Sequence, residues 1–395
     1  MTTDVYPTPW QPPPDIRTPA YVADMARLRR NLEILAAVKA RTGCKILLAT
    51  KAFAMPAIFP LMRDVLDGTT ASGLFEAQLG HDAFGREIHV YSPAYTPAEM
   101  QALSRIAGHF YFNSASQLEQ FYPLLPAGAH VGIRVNPEMS QVKNNPIYDP
   151  CHPGSRFGVK AADLPSLPWE RIDVLHVHAL CENGHAESVN LIHGVSDKFA
   201  PYLSQVSAVN FGGGHFITHP DYDIQPLIDA INRFQERHGV QVILEPGGAV
   251  VLNAGYLVAR VLDIPEKAGA SQIAVLDTSA TCHMPDVLEV PYTPSIQGSL
   301  AGSPGEAIQA TPQYPCLYTL GGKTCLTGDI IGSYAFPTPL QPGDLLVFED
   351  MMQYSFVKNT TFNGVPLPDL AVLHEDGRYE VVKQFSYLDF YNRLG

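Results

Sequence analysis

The chain is short of the features that anchor a protein in a membrane or staple it outside a cell. No stretch approaches ~18 uninterrupted apolar residues, so no membrane-spanning helix is expected. Six cysteines (Cys44, Cys151, Cys181, Cys282, Cys316 and Cys325) are scattered over 395 residues, none in C-x-x-C spacing. In a chain this long that argues against a disulfide framework or a structural zinc, and for reduced thiols in a cytoplasm. Positive charge is scarce, with 26 Lys and Arg against 39 Asp and Glu and a net charge of −13. Nucleic acid would be repelled, and no basic arm overrides that. The opening MTTDVYPTPWQPPPDIRTPAY lacks the basic cluster and apolar block of a secretory leader, and its prolines predict an extended arm.

Apolar residues are plentiful at 46%, enough for one large core or two ordinary ones, and a two-domain protein is expected. From Thr18 to about Gly255, strand-like runs alternate with helical patterns. AYVADMARLRRNLEILAAVKARTG opens as a strand and continues as an amphipathic helix, with Leu28, Leu32, Leu35 and Val38 sharing a face. KILLAT, EIHVYS, HFYFN, HVGIRV, VLHVHAL, AVNFGG and QVILEP read as further strands. Roughly eight alternations fit a (β/α)8 barrel over 18–255 better than an open doubly wound sheet. Beyond residue 256 the runs GYLVARVLDI, QIAVLDTS, CLYTLGG, DLLVFED, YSFVKNTTF and YEVVKQF are separated by Gly/Pro turns. Residues 256–395, with 1–17, therefore read as an all-β domain.

Five stretches carry chemistry. In ILLATKAFAM, Lys51 ends an apolar run at the rim where barrel enzymes place their active sites. It is either a solvated strand end or an amine whose desolvation favours the neutral form needed for Schiff-base chemistry. NFGGGHF (210–216) is either a tight loop or a backbone nest for a phosphate. In ILEPGGAV, Glu245 needs a proton or a cation, from an arginine or from a protonated pyridine nitrogen. His176 and His178 of VLHVHAL share one side of a strand. They read as core residues, as a metal pair lacking a third ligand, or as a ring lying on a cofactor. In TCLTGDIIGSY, Cys325 on a glycine-rich loop is either a proton-donating thiol or inert.

Taken in order, a lysine after the second strand, H-x-H, GGG, EPG, C-x-x-x-D and a Tyr ahead of TFNG resemble the fold-type-III pyridoxal-phosphate decarboxylases. That group includes eukaryotic-type ornithine decarboxylase and diaminopimelate decarboxylase, and the likeness runs from TPAYVAD to TFNGV. Within it, LLATKAF, GTTASGLFE, HVHALCENG, FGGGHFITH, LDTSATCHMPDVLEVPY and CLTGDIIGSY are most similar to the carboxynorspermidine/carboxyspermidine decarboxylases. Diaminopimelate decarboxylases, the nearest alternative, typically carry Arg and Glu where this chain has Gly248 and Leu326.

The resemblance implies an alanine-racemase-like barrel with a C-terminal β-sandwich or β-barrel domain, pyridoxal 5'-phosphate as cofactor, and a cytoplasmic homodimer with shared active sites. It also implies roles. Lys51 bonds covalently to the cofactor, His178 stacks on its ring, and Glu245 keeps the pyridine nitrogen protonated. Gly213, Gly214, Gly247, Gly248 and Tyr354 hold the phosphate, and Glu76 supports the site. Cys325 or Lys51 protonates the intermediate left after CO2 departs, Cys325 arriving from the partner subunit. Asp329, Asp286, Glu182 and His215 are candidates for holding the substrate's distal amines. No metal is expected. A non-catalytic homologue and a metal-dependent barrel hydrolase using His176 and His178 are the remaining readings.

Overall fold

The computed structural model describes residues 9–141, 148–265 and 271–395, so the first eight residues of the expected proline-rich arm lie outside the described residues. The chain divides into two compact units. One is Arg29–Val250; the other joins the chain up to Leu28 with Val251–Gly395.

Strand β1 (Ala20–Asp24) is fully buried, and the sequence reading makes it the first strand of the barrel. It belongs instead to the second unit's sheet. The barrel is closed by β2 (Lys45–Ala49), β3 (Gly68–Ala71), β4 (Glu87–Tyr91), β5 (His109–Phe112), β6 (His130–Arg134), β7 (Val174–His176), β8 (Ala208–Asn210) and β9 (Gln241–Leu244). All eight are parallel, and β9 returns to β2 through Lys45↔Ile243. Helices such as His185–Lys198 and Ile224–His238 connect them, the latter with Leu227, Ile228, Ile231 and Phe234 on its buried face. The eighth strand missing from the sequence reading is β3, whose four residues GTTA give little apolar signal. Its glycine is needed for strand pairing, because a Cβ on Gly68 would stand 2.0 Å from the Glu87 carbonyl oxygen.

The second unit is built on one nine-stranded mixed sheet. Along it run β10 (Gly255–Asp263), β11 (Gln272–Leu276), β12 (Leu300–Ala301), β13 (Cys316–Gly321), β14 (Ile330–Phe336), β15 (Leu345–Glu349), β16 (Asp369–Leu373) and β17 (Tyr379–Lys383). Their order is β12-β14-β13-β11-β10-β1-β16-β17, with β15 also pairing β10. β1 is antiparallel to β10 and parallel to β16, so both of its edges are satisfied inside this sheet. That pairing explains why the division falls near Leu28, not at residue 18. The run YSFVKNTTF is no strand: Tyr354 has φ 52°, and its carbonyl accepts from the amides of Val357 and Lys358, closing a turn.

Candidate active site

Four stretches leave the barrel at the C-terminal ends of neighbouring strands. Lys51 lies two residues beyond β2, His178 two beyond β7, Gly212–Gly214 just beyond β8, and Glu245 immediately after β9. Backbone bonds lace them together. Ala49 N donates to Pro246 O (3.1 Å), Glu245 N to Gly212 O (2.7 Å), and Val177 N to Asn210 O (2.6 Å). The glycines are required by close approach. A Cβ on Gly212 would stand 2.6 Å from His178 Nδ1, and one on Gly214 2.1 Å from Leu180 O. Gly212 and Gly214 also have φ of +67° and +85°. Gly247 packs against the residues flanking Lys51, its missing Cβ lying 2.6 Å from that of Ala52.

Charge at this rim is arranged by neighbours. Water reaches Lys51, yet protein crowds it on most sides. Desolvation, with the nearby Arg134 guanidinium, lowers its pKa, while Glu245, Cys181 and Glu76 pull the other way. His178 is held neutral: burial depresses its pKa well below the ordinary value, assisted by Lys51 and Arg134. Consistently, its Nδ1 accepts from Gly213 N at 3.1 Å. Glu245 is 4% exposed. Burial alone would raise its pKa, but His176 and Asn210 outweigh that and hold it below the carboxylate range. Asn210 Nδ2 donates to Oε1 at 2.7 Å, whereas His176 Nε2 stands 3.5 Å from Oε2. Burial also lowers the pKa of His176, so a neutral ring beside an ionised carboxylate is the consistent state. Oε2 therefore retains acceptor capacity for a further cation or N–H.

Arg134, which the sequence reading passed over, is 5% exposed. Its Nη2 donates to His178 O at 3.0 Å, and its guanidinium lies 4.6 Å from the Tyr91 ring centroid and 4.4 Å from that of Phe157. Its signal was an arginine inside the apolar run HVGIRV. Glu76, on the helix Leu74–Leu79, accepts from Ser72 N at 2.6 Å. His215 is 1% exposed with Nδ1 paired to Ser188 Oγ at 3.0 Å, while its Nε2 is buried without a protein partner. Glu182 is exposed with φ 50°, and Gly248 begins the short helical turn Gly248–Val251. His176, His178 and Glu245 bring ligand atoms within 4.8 Å of one another, so the third member of a metal set is present. Asn210 and Gly213, however, already engage Glu245 and His178.

The remaining predicted residues sit in the sheet unit. Cys325 is exposed, its amide donating to Asn363 Oδ1 at 2.7 Å. Asp329 is 2% exposed and accepts from Ser279 Oγ, Thr281 N, Thr324 N and Thr324 Oγ1. It therefore anchors the loop that carries Cys325 and is not a free anion for a substrate amine. Asp286 is likewise engaged, sharing Lys358 with Glu289. Tyr354 is half-buried at its turn.

A family model described as "Pyridoxal-dependent decarboxylase, C-terminal sheet domain" matches residues 20–352. The chain belongs to the pyridoxal-dependent decarboxylases. Its relatives include the carboxynorspermidine/carboxyspermidine decarboxylase of Campylobacter jejuni, 40% identical over 95% of this chain and 98% of that one. The carboxyaminopropylagmatine decarboxylase of Synechocystis sp. is also 40% identical, over 96% and 95%. The crystal structure of carboxynorspermidine decarboxylase with norspermidine from Campylobacter jejuni superposes with a TM-score of 0.89 at 38% identity, covering 96% of this chain and 100% of that one. Diaminopimelate decarboxylases match more distantly, at 23–24% identity. Among the described residues of this decarboxylase, no helix is long and apolar enough to cross a membrane.

Proposed function

We propose that this decarboxylase removes CO2 from a carboxylated polyamine, carboxynorspermidine or carboxyspermidine, using pyridoxal 5'-phosphate held at the barrel rim. The observation that carries the reading is the meeting, at one rim, of a lysine with depressed basicity, a neutral imidazole and an ionised carboxylate with a spare lone pair. This donor set fits the cofactor's three demands: an amine for its aldehyde, a flat ring for its face, and an anion for its ring nitrogen. When bound, pyridoxal phosphate supplies the sink for the electron pair left behind by departing CO2.

The chain's own groups do the rest. Lys51 offers an amine that loses its proton readily, because desolvation and Arg134 penalise the ammonium. Glu245, oriented by Asn210, holds a proton on the ring nitrogen. His178 is fixed by Gly213 N–H, and free backbone amides of the Gly213–Gly214 and Gly247–Gly248 turns would hold the phosphate, with Tyr354 as a hydroxyl donor. Glu76 keeps a supporting role beside Lys51, where its charge partly offsets the lowering of the amine's pKa. The carbon that loses CO2 takes a proton from Cys325 or Lys51. Cys325, exposed on its loop, acts in the site of a second copy, so the working form is a homodimer in a cytoplasm. Of the acidic candidates for the distal amines, Glu182 is the exposed one; Asp286 and Asp329 are committed elsewhere.

The near relatives' names include both carboxyspermidine-type and carboxyaminopropylagmatine substrates, chains that share a carboxylated end and differ at the far cation. The deciding experiment measures CO2 release from carboxynorspermidine, carboxyspermidine, carboxyaminopropylagmatine and meso-diaminopimelate. Turnover of the first two is expected to exceed the others by at least about tenfold in kcat/KM. Preference for diaminopimelate would overturn the assignment.

A further inference from the structure

A line of buried polar side chains runs through the barrel interior, and beyond Asn210 its members take no part in the chemistry above. It starts at Glu245, at the C-terminal ends of the strands, and finishes at Glu87, which opens β4 at the other end. Asn210, Tyr111 and His89 stand between them, each 0% exposed. Asn210 Nδ2 donates to Glu245 Oε1 (2.7 Å), and Asn210 Oδ1 accepts from Gly212 N (2.8 Å). The Tyr111 hydroxyl lies against the Asn210 amide and meets His89 Nδ1 at 2.8 Å. His89 Nε2 reaches Glu87 Oε2 at 3.2 Å, and Lys45 Nζ holds Glu87 Oε1 at 2.6 Å. Barrel interiors are ordinarily filled by branched aliphatic side chains, so a line of buried polar groups is a departure that needs a reason.

The Glu87 end also gathers His109, and the three residues bring ligand atoms within 4.8 Å. It is not a metal cage. The His89 and His109 rings stack at 3.8 Å with planes 6° apart, so their in-plane lone pairs run parallel and do not converge on one ion. The Lys45 ammonium also already neutralises the carboxylate.

The hydrogen bonds have a defined direction. Glu87 only accepts, so His89 carries its proton on Nε2 and presents a bare Nδ1. Tyr111 must then donate to His89, which leaves its oxygen to accept from Asn210. One amide hydrogen of Asn210 goes to Glu245 and Gly212 N–H fixes the amide oxygen, which leaves the second amide hydrogen for the Tyr111 oxygen.

We propose that His89 and Tyr111 are positioning residues for Glu245: through Asn210 they fix the orientation and negative charge of a carboxylate they never touch. The proposal rests on the reading of Glu245 as partner of the cofactor's ring nitrogen. Lys51, His176 and Arg134 also face Glu245, so the network is one contributor among several and its removal shifts the carboxylate without neutralising it outright.

The test is made on cofactor-free protein. Glutamate side chains are labelled with 13C, the Glu245 resonance is assigned with Glu245→Gln, and its titration is followed. Tyr111→Phe and, separately, His89→Gln are expected to raise its midpoint by about one pH unit, a tenfold gain in proton affinity. Tyr222→Phe, which removes another buried hydroxyl (bonded to Ser188 at 2.8 Å), leaves the titration unchanged. With the loaded enzyme, the acid limb of the kcat profile moves up by the same amount in Tyr111→Phe. Titrations that coincide with the parent in both variants overturn the proposal. A shifted titration in a protein that binds no pyridoxal phosphate upholds the network and overturns the functional reading instead.

Discussion

Gly214 shows how a single missing carbon sets the site. Its φ of +85° is costly for other residues, and a Cβ would meet the Leu180 carbonyl oxygen at 2.1 Å. Gly43 has a similar φ of +68°, but nothing lies within 4 Å of its Cβ position. Gly214→Ala is therefore predicted to lose more than ~2 kcal/mol of unfolding free energy, against ~1 kcal/mol for Gly43→Ala. Urea denaturation of both variants checks this; equal losses would mean that crowding at Leu180 is relieved by backbone movement. Residues at the ends of apolar runs, such as Lys51 and Glu245, were legible in the sequence because a charge there needs a partner. Asn210, Arg134 and Tyr111 were not, since their partners come from other strands: Glu245, His178 and His89. Sequence order carries no trace of such pairings.

At the scale of elements, the alternation of strand and helix pointed to a barrel, but one strand was assigned to the wrong sheet and another was missed. β1 is as apolar as a barrel strand, and only its pairing with β10 and β16 reveals its sheet. β3 is nearly silent because Gly, Thr and Thr fill three of its four positions. The loop from Gly322 to Asp329 was read by its cysteine, while the sequence could not show that Asp329 is its anchor. Buried beneath four donors, that carboxylate holds the loop so that Cys325 and Leu326 face outward. An exposed thiol held on an anchored loop suits a residue delivered to a second copy. Mixing Lys51→Ala protein, inactive, with Cys325→Ala protein, slowed, is predicted to add roughly a quarter of parental activity to what the two show apart, because half of the re-formed dimers would carry one complete site of two. No recovery after subunit exchange would place both residues in a site made by one chain.

For the whole molecule, buried histidines dominate the response to acid. Burial holds His109 down to about 3, and His215 and His283 to about 4; His89, His176 and His178 are lowered in the same sense. Each stays neutral when folded but takes a proton in the unfolded chain below its ordinary value of ~6.5. The unfolded state then binds more protons, so stability is complete above pH ~6.5 and falls toward the folded pKa, by up to ~1.4 kcal/mol per pH unit per histidine. The urea midpoint is predicted to drop steadily from pH 7 to pH 5; a flat profile would mean that these rings are already protonated in the fold. Composition allowed one large core or two ordinary ones but gave no sign of this acid sensitivity, which depends on four buried and two half-buried rings.

Everything at the barrel rim turns on Lys51. Reducing the pyridoxal-phosphate-loaded protein with borohydride and mapping its peptides by mass spectrometry should place the phosphopyridoxyl group on the peptide containing Lys51 and on no other. A label on another lysine, or none on a protein that nonetheless decarboxylates, would contradict the assignment.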